Sequence, residues 1–88
     1  MAITIERPDN ASAVQKAIRT SATTTVAGTV PGGFFICGFY NIGLADITVD
    51  GQTLPAGAAE VLPYVGKQYS EPVTYNASGS TLLIKAIW

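Results

Sequence analysis

The sequence contains no histidine and a single cysteine. Without histidine, the commonest general base and the commonest zinc ligand are both missing. Ser-His-Asp and Cys-His arrangements are excluded by count, and so are Cys/His zinc sites. One cysteine cannot close an internal disulfide. Cys37 lies in Phe34-Phe35-Ile36-Cys37-Gly38-Phe39-Tyr40, with no cation beside it in sequence, and reads as a small, buried, inert hydrophobe.

Charge is also scarce. Only 12% of residues are charged, against roughly 25% in ordinary soluble domains. Arg7, Lys16, Arg19, Lys67 and Lys85 are scattered, and the net charge is −1. No basic cluster alternates with aromatics, so nucleic acid is not an expected partner. No apolar run approaches the roughly 18 residues of a helical membrane span, so a membrane is not an expected partner either. Met1 to Arg7 lacks a basic stretch leading into an apolar one, which predicts no secretory signal and folding in a cytoplasm. No phosphate-binding loop or dinucleotide fingerprint occurs. These absences together argue against an enzyme and against any metal or cofactor.

What is present is an apolar chain of modest size. Its 88 residues suffice for one domain, and 48% of them are hydrophobic. The mean hydropathy is +0.31. A small domain has the most surface per residue to cover, yet this one has about half the usual charge. Some apolar residues are therefore expected outside the monomer core, covered by further copies or by a larger assembly.

From residue 23 onward the chain reads as short strands separated by turns. Pro31-Gly32-Gly33 separates a Thr/Val stretch, residues 23–30, from the aromatic run 34–40. Asp50-Gly51, between Asp46-Ile47-Thr48-Val49 and Gln52-Thr53-Leu54, signals a hairpin with a type I′ turn. Asn76-Ala77-Ser78-Gly79 separates Pro72–Tyr75 from Ser80–Ile87, with Gly79 suited to the left-handed position of a short hairpin loop. Residues 55–70 hold two prolines and two glycines, predicting a long connection with room for one short edge strand. The expected fold is all-β: a small β-sandwich or barrel of short antiparallel strands, with an N-terminal arm. The expected division is an arm or short helix over 1–22 and a β-domain over 23–88. Ile3-Thr4-Ile5 could be a strand; Asp9 or Asn10 could cap a helix whose stripe is Val14, Ala17, Ile18 and Ala22.

Face assignment supplies the candidate contacts. In the last strand Leu82, Ile84, Ala86 and Trp88 share one face, opposite Leu83 and Ile87. In the aromatic run Phe34, Ile36 and Tyr40 oppose Phe35, Cys37 and Phe39. Both faces of both runs are apolar, whereas a half-solvated sheet alternates apolar with polar. One face is either the second layer of the same domain or a surface covered by another subunit. The residues expected to make subunit contacts are Ile3, Ile5, Phe35, Phe39, Leu83, Ile87 and Trp88. A one-residue error of register would invert such assignments.

Other chemistry is thin. Asp46 and Asp50 flank Thr48 on one strand face, which suits a solvated turn better than calcium, since calcium needs six to eight oxygens. Asn10-Ala11-Ser12 and Asn76-Ala77-Ser78 match the glycosylation pattern but are explained by capping and turn chemistry. Tyr64, Tyr69 and the 55–70 loop could form a carbohydrate- or receptor-binding platform.

The stretch from Asn41 to Gly57, NIGLADITVDGQTLPAG, and the ending Val73 to Ile84, VTYNASGSTLLI, resemble small virion proteins of tailed bacteriophages. Those proteins often carry short strands, a Leu-Pro-Ala-Gly-like turn and a Thr-Tyr-Asx-x-x-Gly hairpin. The resemblance covers about residues 30–88. It implies a structural role, as a capsid decoration (cement) protein that binds and stabilises the shell as an oligomer, often a trimer. The implied partner is the major capsid protein or another virion protein, and the implied location is the virion. Tail, adaptor and fibre-associated proteins share the same style.

Overall fold

Among residues 17–88, which the computed structural model describes, eight strands form two antiparallel sheets and there is no helix. The strands are β1 (Arg19–Thr24), β2 (Ala27–Val30), β3 (Ile36–Asn41), β4 (Ile47–Val49), β5 (Gln52–Leu54), β6 (Ala59–Leu62), β7 (Val73–Asn76) and β8 (Leu82–Ile87). Sheet A has the order β1-β8-β3-β6 and sheet B the order β2-β7-β4-β5. The two layers enclose one core, so the fold is all-β and sandwich-like, as the turn spacing predicts.

The alternation of side chains decides which residues fill that core. Sheet A contributes Cys37, Phe39, Leu82 and Ala86; sheet B contributes Val30, Ile47, Val49, Leu54 and Val73. Phe39 is fully buried and meets Tyr75 of sheet B at 6.5 Å between ring centres. At one end Phe34 is sandwiched, stacked on Tyr69 at 5.0 Å and edge-on to Trp88 at 6.1 Å.

The Asp50-Gly51 turn forms as expected. Asp50 has φ 53° and Gly51 φ 77°, the positive pair a type I′ turn requires, and β4 pairs with β5 around it. The second expected hairpin does not form. Gly79 does take a positive φ of 88°, but β7 lies in sheet B, while β8 lies in sheet A. The loop between them changes sheets because it is tied inward: Ala77 and Ser80 are buried, and the Ser80 hydroxyl donates to Asn41 Oδ1 at 2.8 Å. The 55–70 connection holds one short edge strand, β6, as its composition allows.

At the start of the described chain, Arg19 to Ala22 are strand, inside the segment 1–22 expected as arm or helix. The threonine-rich run pairs with all six residues of β8, and strand geometry suits β-branched side chains better than a helix does. Residues 1–16, including Ile3, Ile5, the caps Asp9 and Asn10, and Val14, lie outside the described residues.

Asn41, at the end of β3, is 1% exposed and fastens the two sheets together. Its Nδ2 donates to the carbonyls of Ala45 (2.8 Å) and Leu54 (2.9 Å). Its Oδ1 accepts from the Gly43 amide (3.2 Å) and the Ser80 hydroxyl. Every hydrogen-bonding group of this side chain is used. Asn41→Ala should therefore lower the unfolding free energy by about 3 kcal/mol, since it strands buried carbonyls, and Ser80→Ala by about 1 kcal/mol. Urea unfolding of each variant, with unchanged m-values, checks the ranking.

Candidate interaction surface

The structure divides the expected contact residues among three environments. Phe39 is wholly inside the core and presents no surface to a second subunit. Trp88 packs against the core, and its Nε1 donates to the Thr20 hydroxyl at 2.9 Å. Leu83 and Ile87, half-buried, stand together on the outer face of sheet A. Phe35 lies apart, beside Tyr64 at 6.0 Å between ring centres. Ile3 and Ile5 lie outside the described residues.

A local irregularity accounts for Phe35 and Phe39 separating. Ile36 pairs with Ile87, yet the Phe35 amide also donates to the Ile87 carbonyl at 2.6 Å. Two residues opposite one is the arrangement of a β-bulge, which resets the alternation on either side of it. Phe34 therefore points inward along with Cys37 and Phe39, while Ile36 and Tyr40 emerge on the outer face. Of the two faces of the aromatic run, the outward one is Ile36/Tyr40. A signal for this was present, because Cys37 shares a face with Phe39 and reads as buried.

Strand register assembles the outer face of sheet A in three rows. Arg19, Ile87 and Ile36 form the first; Ser21, Lys85, Gly38 and Val61 the second; Thr23, Leu83, Tyr40 and Ala59 the third. Gly38 has no side chain, and the Tyr40 ring folds across it, where a Cβ would collide with the ring. This leaves a shallow groove of about 480 Å³ between Tyr40, Ile36, Ile87 and the side chains of Arg19 and Lys85. The face is thus mostly apolar and carries two cations and, among the described residues, no carboxylate.

The outer face of sheet B is different. Thr29, Thr48, Thr53, Thr74 and Asn76 occupy it, all exposed. Asp46 adjoins Thr48, Thr53, Asn76 and Ser78 in a small depression there, and Asp50 lies in the turn. Among the described residues, no three Asp, Glu, Cys or His side chains converge as a metal ligand set. Hydroxyl and amide groups satisfy themselves in water, so this face needs no cover.

The two tyrosines of the 63–72 connection have different neighbours. Tyr69 is stacked on Phe34, and its hydroxyl donates to the Pro63 carbonyl at 2.7 Å. Tyr64 is exposed beside Phe35. Cys37 is fully buried, and burial pushes its thiol pKa up to about 11. Comparison of the chain with protein-family models, with curated proteins and with solved structures finds no match.

Two outcomes follow from these placements. Phe39→Ala should cost about 3–5 kcal/mol of stability, whereas Leu83→Ser on the outer face should cost about 1 kcal/mol or less; thermal and urea unfolding separate them. The Cys37 thiol has a folded-state pKa above its unfolded value of 9.0, so the unfolded chain loses that proton first as pH rises. Stability relative to Cys37→Ala should therefore fall from about pH 9 to about pH 11, and a flat difference across that window would contradict the burial.

Proposed function

We propose that this chain is a structural subunit of a virion, a capsid decoration or cement protein that docks on the shell through the outer face of sheet A. The observation that carries the reading is the asymmetry of the two outer faces. One is mostly apolar and carries, among the described residues, two cations and no carboxylate, while the other is a solvated array of threonine and asparagine. A monomer has no use for the first kind of face, because exposed apolar area in a small domain invites association. Support also comes from the low overall charge and from the resemblance of residues 41–57 and 73–84 to small phage virion proteins.

Mechanically, the docking face is a grooved strand surface backed by the core and sheet B. Binding hides Ile36, Tyr40, Val61, Leu83 and Ile87, and Arg19 and Lys85 favour an acidic rim on the partner. Each contact is weak alone, and many copies on one closed shell add multivalently. The tail or adaptor position remains the runner-up within the same structural class.

The test uses shells of the parent virus assembled without this chain. The purified chain should cosediment with them, and Ile87→Asp should abolish binding without loss of fold. Lys85→Glu should weaken binding about tenfold at low salt and less at high salt. Wild-type protein that stays in the supernatant, or an Ile87→Asp variant that binds normally, would sink the proposal.

A further inference from the structure

Among the described residues, four strands lie at sheet edges, and three of them are blunted against pairing. β5 has three residues; β6 has four, carries Glu60 and runs into Pro63; β2 has four and runs into Pro31. β1 is different. It has six residues, Arg-Thr-Ser-Ala-Thr-Thr, without proline or lysine, and all but Thr24 are exposed. Natural sheets usually guard an edge of this length with charge, proline or a bulge. Among the described residues no strand pairs with its outer side.

The backbone shows which groups are open. Ile18 and Trp88 exchange both of their hydrogen bonds, N–H to O at 3.3 and 2.9 Å. Antiparallel pairing alternates, so Thr20, Ala22 and Thr24 likewise bond to β8. Arg19, Ser21 and Thr23 then direct their N–H and C=O groups away from the sheet.

We propose that β1 pairs antiparallel with β1 of a second copy of this chain, about a two-fold axis at Ser21, joining the two A sheets into one. The register follows from the open groups. Within β1, only Arg19, Ser21 and Thr23 can bond across the seam. Placing Ser21 opposite Ser21 of the partner subunit sets Arg19 against Thr23 on both sides and makes about six backbone hydrogen bonds. A slip of two residues to either side loses one of these pairs. Charge permits this arrangement: Arg19 is the only charged residue of β1, and the two copies stand roughly 13 Å apart, four residues at about 3.3 Å each. That exceeds the screening length in physiological salt, about 8 Å. The two Lys85 side chains are separated by both Ser21 residues, roughly 14 Å at three strand spacings. The pairing deepens the docking reading, on which it rests only for its use, because it merges two outer A faces into one continuous surface. It replaces the trimer implied by resemblance with a two-fold pair.

Light scattering after size exclusion, across a dilution series, tests it. The wild-type chain should run at twice its 9.2 kDa mass. Ser21→Pro removes an open-edge N–H and places a ring in the seam, while proline is tolerated on an edge strand whose N–H faces outward. It should weaken dimerisation at least about 100-fold with an unchanged far-UV spectrum. Ser21→Thr should remain dimeric. A charge swap reports the register without touching the fold: Thr23→Glu, opposite Arg19 of the partner subunit, should tighten the dimer about fivefold, and Thr23→Lys should loosen it about as much. A wild-type monomer at all concentrations overturns the proposal, whether residues 1–16 or another protein take the edge. So does a dimer indifferent to Ser21→Pro, or Thr23→Lys binding as tightly as Thr23→Glu. The Ile87→Asp variant should stay dimeric, so failure of shell docking is distinguishable from failure of edge pairing.

Discussion

The sandwich depends on the buried amide of Asn41. Its side chain leaves the end of β3 in sheet A and reaches the carbonyl of Leu54, the last residue of β5 in sheet B. It also holds the 42–46 loop through Ala45 and Gly43, and the sheet-changing loop after β7 through Ser80. Its backbone takes part as well: the amide donates to Ala58, and the carbonyl accepts from Gly57. A polar group in such a place costs free energy unless every donor and acceptor is matched. Here each is matched, and no buried side-chain nitrogen or oxygen among the described residues lacks a partner. The cluster gives directional bonds to an end of the molecule where three loops, 42–46, 55–58 and 77–81, come together.

That fastening matters because the chain does little locally. Among the described residues, β4–β5 is the only pair of consecutive strands that bond to one another. Every other connection carries the chain from one sheet to the opposite one. Such a topology closes long loops before its contacts form, and folding is slow when pairing is this non-local. The Asp50-Gly51 turn is the natural local starting point. The sheet-changing loops then require specific anchors, supplied by Gly79 with its positive φ, Gly57 with its φ of 82°, and the Ser80–Asn41 bond.

Two glycines inside strands each lie under a tyrosine ring, one facing the core and one facing outward. Tyr75 lies across Gly28 on the inner side of sheet B, and Tyr40 lies across Gly38 on the outer side of sheet A. An aromatic ring folded over a strand glycine replaces the missing side-chain contacts of that position. On the outer face it also forms one wall of the groove beside Arg19 and Lys85. The apolar outer face and the β1 edge, unpaired among the described residues, thus belong to the same sheet, while sheet B presents hydroxyls and amides to water.

Local chemistry alone determined the strand-rich class, the Asp50-Gly51 turn, the edge strand in 55–70, the burial of Cys37 and the sharing of one strand face by Leu83 and Ile87. Each follows from a turn residue's φ preference or from two-residue alternation, which act within a few positions of the chain. Tertiary structure decided the rest. The bulge at Phe35 shifted one residue, turning Phe34 inward and parting Phe35 from Phe39, and alternation cannot register an extra residue that only its partner strand reveals. The strand at Arg19–Ala22 exists because β8 lies beside it. The loop at 77–81 changes sheets, and Asn41 is a buried clasp more than a turn residue, because partners tens of residues away complete their hydrogen bonds. Those partners come from distant segments, and no pattern in neighbouring residues encodes their arrival.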